Sequence, residues 1–281
     1  MAEEVRRGRP FRAAGVGSFV REGGVGDPVV LMHGLPSSSF LYRKVIDHLA
    51  AHGLRGMAFD LPGLGLAERP GDFDYTFAGL GRWAAAALDQ LGLDRFHLVV
   101  HDAGGPVGFE MVTGLADRVR TLTLLNTVVA MDRVPFPMEV YARYASRRGW
   151  PALPPPAPFR RAFRAIALGD PSAMSDAEVD AYRDLVLRED AGAAYLRIMQ
   201  NLRRGEGDYA AVIDSRRTPY PVQVIWGARD PALRMNRFGW RAREATGVAV
   251  LQTVPGKHFP QEDFAPELAG VIAAFAAGAG R

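Results

Sequence analysis

Asp102 lies in Leu98-Val-Val-His-Asp-Ala-Gly-Gly105, where a short apolar run leads straight into a carboxylate and then into three small residues. A strand that turns sharply into a helix pushes the side chain at the bend outward, at the carboxyl edge of the sheet, and small residues behind it let the helix pack close. In the serine form of this elbow, G-x-S-x-G, the hydroxyl needs a base to remove its proton. Here Val100 stands for the first Gly and Asp102 for the Ser. An aspartate is already ionised at neutral pH, with a reference pKa of about 3.9. It can attack an electrophilic sp³ carbon directly and form an alkyl ester. Hydrolysis of that ester needs an imidazole to activate water and a second carboxylate to orient the imidazole and stabilise its charged form.

Candidates for both stand at matching places. Asp230 follows the apolar run Val222-Gln-Val-Ile-Trp-Gly227, and His258 lies in Val254-Pro-Gly-Lys-His-Phe259, past the last such run. Nucleophile, acid and base in that chain order are what the elbow requires. The oxyanion donors would be the backbone N–H groups of Ala103 and of Leu35, the latter in His33-Gly-Leu-Pro36. The structural alternatives for these three are a helix-capping turn residue for Asp102, a turn initiator for Asp230 and a structural loop histidine for His258. His33 and His101 read as packed neutral imidazoles, and Asp60 as a hydrogen-bonded loop residue near the site. His48 and His52, one helical turn apart, have a spacing that can bind metal but no third partner, so no metal is expected.

These residues need a scaffold that brings strand ends together. Val29–His33, Arg55–Asp60, Phe96–His101 and Val119–Leu125 read as strands, alternating with helical patterns over Leu41–His52, Phe77–Leu91 and Pro106–Leu115. Such alternation implies a mostly parallel sheet with crossover helices on both faces. Phe11–Glu22 reads as a leading hairpin. After Asn126 the buried strands stop. Prolines interrupt the chain at 151–158, and Ser175-Asp-Ala-Glu178 is a capping-box helix start. Ala191–Arg203 predicts another helix. The sheet resumes at Val222–Trp226 and Val248–Val254. The predicted organisation is a core of residues 1–126 and 218–281 with a helical cap, 127–217, inserted in it.

Composition narrows the class. The 281 residues hold no cysteine, which removes disulfides and thiolate metal sites, and a net charge of +3 from scattered basic residues argues against nucleic acid. The charged opening residues lack a secretory pattern, and no run reaches the roughly 20 apolar residues of a membrane span. A cytoplasmic monomer or homodimer acting on a small molecule and water, without a cofactor, is expected.

The motifs resemble the haloalkane dehalogenase and epoxide hydrolase branch of the α/β-hydrolase superfamily. The matching stretches are His33-Gly-Leu-Pro-Ser-Ser-Ser-Phe-Leu-Tyr-Arg-Lys44, Phe59-Asp-Leu-Pro-Gly-Leu-Gly65, Val100-His-Asp-Ala-Gly-Gly105, Trp226-Gly-Ala-Arg-Asp-Pro231 and Gly256-Lys-His-Phe-Pro-Gln-Glu-Asp263. The resemblance, closest to haloalkane dehalogenase, implies an eight-stranded α/β-hydrolase fold and an aspartyl-ester mechanism. It also exposes a departure. Haloalkane dehalogenases usually carry Trp after the nucleophile as a halide donor, and many carry a donor Asn in the His-Gly-Asn-Pro loop. Here those positions are Ala103 and Leu35. Fluoroacetate-type relatives carry Arg after the nucleophile, which Ala103 also lacks. Epoxide hydrolases use cap tyrosines instead, for which Tyr141, Tyr144, Tyr182 and Tyr195 are available. Trp150 and Tyr195 are the candidate substrate contacts in the cap. A non-hydrolytic lyase, isomerase or oxygenase, or a ligand-binding protein on the same scaffold, stays open beside these readings.

Overall fold

The computed structural model describes residues 8–130, 151–201 and 209–279. β5 (Phe96–Asp102) is buried from Phe96 through His101, which fits a strand covered on both faces. It sits inside an eight-stranded sheet of order β1-β2-β4-β3-β5-β6-β7-β8, built from β1 (Gly8–Ala13), β2 (Val16–Gly23), β3 (Asp27–Met32), β4 (Leu54–Phe59), β5, β6 (Val119–Thr127), β7 (Val222–Gly227) and β8 (Leu251–Val254). β1 and β2 form the expected hairpin, and β2 pairs antiparallel with β4. The remaining pairings are parallel. β3 is followed in space by β4 on one side and β5 on the other, so the strand order reverses there. A crevice opens at the carboxyl ends of such strands, which is where Leu35 and Asp102 lie.

The helices follow from their apolar spacing. Phe77–Gln90 buries Leu80, Trp83, Ala84, Ala87 and Leu88, and Thr76 caps it by accepting from the Gly79 N–H. It packs against Gly104–Val112, while Arg43–Ala51 packs against Ala265–Gly278. Several boundaries move by a few residues from those expected, and two of the shifts have a plain cause. The helix expected from Pro106 starts at Gly104, because a proline in the first turn gives up an N–H that has no intrahelical partner anyway. The strand expected from Val248 pairs only from Leu251, and Val250 is exposed at the sheet edge.

Between β6 and β7 the described chain is helical: Pro156–Ala167, Asp176–Leu187, Ala193–Asn201 and Ala210–Ile213. The Ser175–Glu178 capping box forms as the sequence implied. Phe163 and Tyr182 from this segment pack against Phe259, and Tyr182 also against Phe40. Beside them the buried Glu262 carboxylate pairs with Arg43 (2.5 Å) and Lys44 (3.1 Å) and accepts from the Tyr182 hydroxyl, while Arg43 also reaches Glu178 (2.7 Å). Charges as buried as these persist only when paired. Among the described residues no helix is long and apolar enough to cross a membrane.

Candidate active site

β5 ends on Asp102 at φ +50°, a left-handed conformation that a non-glycine residue adopts only at a cost of about 1–3 kcal/mol. The surroundings hold it there. The Asp102 carbonyl accepts the Thr127 hydroxyl at 2.5 Å. Two of the small residues noted in the sequence are sterically required: a Cβ on Gly105 would stand 1.9 Å from Thr127 Oγ1, and one on Gly104 would stand 2.5 Å from the His33 carbonyl oxygen. Gly34 is equally confined, since its Cβ would lie 2.5 Å from Asp102 Oδ1 and 2.7 Å from the Ala103 nitrogen.

That confinement sets the carboxylate. Asp102 Oδ1 accepts the Leu35 N–H at 2.8 Å, and Oδ2 faces His258 Nε2 at 3.5 Å. The Ala103 N–H flanks the same spot, next to Gly34, without a hydrogen bond to that oxygen. His258 Nδ1 meets Asp230 Oδ2 at 2.8 Å. The three side chains differ in access: Asp102 is 18% exposed, His258 7% and Asp230 0%. The carboxylate at the bend therefore keeps limited contact with solvent, and the one behind the imidazole is sealed.

Asp230 is held from several directions. Its Oδ1 accepts the N–H groups of Ala232 (2.7 Å) and Leu233 (2.9 Å), and its Oδ2 accepts Asn126 Nδ2 at 2.6 Å. Asn126 Oδ1 in turn accepts the Gly227 N–H at 2.8 Å, so one buried amide at the end of β6 bridges the end of β7 and the acid beyond it. In the sequence Asn126 marks only the point where the strand pattern stops. A polar residue closing a buried apolar strand was the available signal.

The electrostatics follow from these contacts. Burial opposes a charge on His258, yet the carboxylates of Asp230 and Asp102 outweigh it and raise the imidazole to about 10. Burial likewise opposes charge on Asp102, and the hydrogen bond and charge of His258, with the Leu35 N–H, hold it below the usual carboxylate value. Asp230 is lowered in the same way despite burial, by His258, Asn126 and Leu233. The site rests as an imidazolium between two carboxylates.

The flanking residues are structural in their contacts. His33 is buried, with Nδ1 3.0 Å from the Gly34 carbonyl and Nε2 accepting the Leu61 N–H, and burial lowers its pKa. Asp60 accepts the N–H groups of Ser39 (2.6 Å) and Leu66 (2.7 Å), fixing the loop after β4. Tyr182 is bound to Glu262 and so is occupied away from Asp102. Tyr195 is buried on Ala193–Asn201 and takes no part in the hydrogen bonds of Asp102, His258 and Asp230. Trp150, Tyr141 and Tyr144 lie outside the described residues.

The model for the alpha/beta hydrolase fold family matches residues 27–265. Haloalkane dehalogenase 2 of Mycobacterium tuberculosis is 32% identical over 259 residues, covering 89% of this chain and 87% of that protein. The haloalkane dehalogenase of Psychrobacter cryohalolentis is 30% identical over 258 residues, covering 89% and 83%. A solved meta-cleavage product hydrolase from Pseudomonas fluorescens superposes with a TM-score of 0.82 over 98% of this chain and 99% of that one, a likeness of fold at 18% identity. With this sheet order and these relatives, the chain belongs to the α/β-hydrolase fold family, in its haloalkane dehalogenase-like branch, and is a hydrolase.

Proposed function

We propose that the chain hydrolyses a small to medium apolar electrophile through an ester on Asp102, with a halide as the leaving group. The observation that carries this reading is the carboxylate itself. One oxygen rests on the Leu35 N–H, and the other lies 3.5 Å from His258 Nε2. In the first step an Asp102 oxygen bonds to the substrate's sp³ carbon while the carbon–halogen bond breaks, and the halide leaves with the electron pair. The oxygen on Leu35 then becomes the ester carbonyl, already in place for the charge that develops when water adds.

In the second step water attacks the ester carbon and gives a proton to His258 Nε2. The tetrahedral species collapses, the alcohol leaves with the proton held by His258, and the regenerated acid passes its proton back to His258, so the imidazolium is restored and the one proton released per turnover is the one His258 gives to solvent after esterification. Esterification removes one of the two negative charges beside His258. The imidazolium loses stabilisation at that point and becomes a base when one is needed. The described helices between β6 and β7, within the expected cap of residues 127–217, are read as part of a cap over this carboxylate. Support comes from their insertion between β6 and β7 and from the bonds of Pro156–Ala167 to the His258 loop.

Epoxide opening is the second reading. It is favoured by Ala103 and Leu35, which offer no side-chain donor to a departing halide. Each missing charge-assisted hydrogen bond forfeits roughly 1.5–3 kcal/mol. One experiment tests both. The enzyme is turned over in ¹⁸O water with bromoalkanes or epoxides, scoring bromide or diol, and the Asp102 peptide is weighed. Label in Asp102 after repeated turnovers is expected. Turnover with no label there overturns the ester path, and diol without bromide selects the second reading.

A further inference from the structure

His101 precedes Asp102 on β5 and is fully buried. Its Nε2 stands 2.8 Å from the carbonyl oxygen of His258. A carbonyl only accepts, so Nε2 carries the ring proton and Nδ1 is bare. Nδ1 is buried and has no hydrogen-bond partner among the described residues. Burial, and then the charge of His258, push this imidazole down to about 4, so it stays neutral. The two histidine rings lie 5.1 Å apart at 47°, and Phe259 packs edge-on to His101 at 5.3 Å.

An apolar ring would fill this place without an orphaned nitrogen. What the histidine adds is one bond, and that bond joins the two halves of the site. Asp102 ends β5 and His258 follows β8, with β6 and β7 lying between those strands. His101 crosses that gap directly. The other side of the same residue is held too: the His258 N–H points at the Ile166 carbonyl (3.4 Å), the Phe259 N–H at Ala167 (3.0 Å) and Lys257 Nζ at Ala165 (2.9 Å). The backbone of His258 is thus fixed at its N–H by the end of Pro156–Ala167 and at its C=O by the neighbour of Asp102.

We propose that His101 is a positioning residue for His258, tying its backbone to the strand that carries Asp102 and thereby setting the imidazole for the attack of water on the ester. The inference rests on the ester reading of Asp102. The two steps separate its effect: alkylation uses the Asp102 carboxylate, and only hydrolysis uses a placed imidazole as base. A displacement of about 1 Å in such a group can slow its step on the order of a hundredfold.

The test compares wild type with His101→Leu, His101→Asn and His101→Gln, each first confirmed as folded by circular dichroism. Glutamine carries an amide N–H at the reach of Nε2, and asparagine is too short. The probe is 1-bromobutane, with rapid quench and intact-protein mass spectrometry to follow the butyl ester. Alkylation is expected within about threefold of wild type in all three, while ester hydrolysis falls about a hundredfold in Leu and Asn and within about tenfold in Gln. Hydrolysis at the wild-type rate in His101→Leu, or a Gln variant as slow as Leu, overturns the proposal. If wild type and His258→Phe form no ester, the reading of Asp102 fails separately. Crystal structures then still decide the role of His101: an unchanged His258-to-Asp102 distance in the Leu variant overturns it, and a lengthened one upholds it.

Discussion

Replacing Asp102 with Asn removes one of the two negative charges that flank His258 and leaves Asp230 in place. The nearer oxygen is 3.5 Å from Nε2. Spreading the charge over both oxygens gives a mean separation of about 4.5 Å, and at an effective dielectric constant of about 20 the lost attraction is about 4 kcal/mol. At 1.36 kcal/mol for each pKa unit, this lowers the imidazole by about 3. His258 should therefore titrate near 7 in Asp102→Asn, from about 10 in the wild type. The same change of charge accompanies esterification, so the variant isolates the electrostatic state of the intermediate without any substrate. The assay is a pH titration of ¹³C-histidine-labelled protein by NMR, with His258 assigned from a His258→Gln spectrum. If His258 titrates within one unit of wild type in the Asn variant, or near 6.5 in both, the argument that Asp102 holds the imidazolium fails.

Asn126→Ala removes the amide that bridges Asp230 and Gly227, leaving the Gly227 N–H unpaired and Asp230 Oδ2 with His258 as its remaining hydrogen-bond partner. A stability loss of about 1–3 kcal/mol in urea melts, with slower turnover from a looser Asp230, is expected. Glu262→Gln should cost about 3–5 kcal/mol, because the buried Arg43 and the partly buried Lys44 lose their shared carboxylate; denaturant melts at pH 7 measure it. Acidification should destabilise the fold. His97 and His101 are held down to about 4, mainly by burial, so the unfolded chain takes up protons from about pH 6.5 downward while the folded one does not. Each contributes a loss of about 2–3 kcal/mol between pH 7 and 4.5, and His97→Gln should recover its share in melts at those two pH values. His258 has the opposite sign. Its raised pKa adds stability that is complete below about pH 6.5 and disappears as pH rises through about 10.

Much of the architecture was legible because a parallel sheet buried on both faces writes continuous apolar runs, and its crossover helices write a 3.6-residue period. The elbow was legible for a related reason. Steric confinement beside Asp102 leaves room only for glycine at 104 and 105, and that restriction is local in the chain. Asn126, Glu262 and the tie from His101 were not legible in this way. Each acts through a contact more than 100 residues distant, and nothing in the surrounding residues announces the partner. Leu251, not Val248, begins the last pairing, because an edge strand's length depends on how much of its neighbour it meets rather than on its own β-branched content.

The sequence alone determined which chemistry was available: a carboxylate where the elbow would otherwise hold a hydroxyl, with an imidazole and a second acid after later strands, and no side-chain donor at 35 or 103. Tertiary structure decided the state of those groups. An imidazole's charge depends on how many carboxylates surround it and how much water is excluded, and both are set only when β5, β6, β7 and the loop after β8 converge.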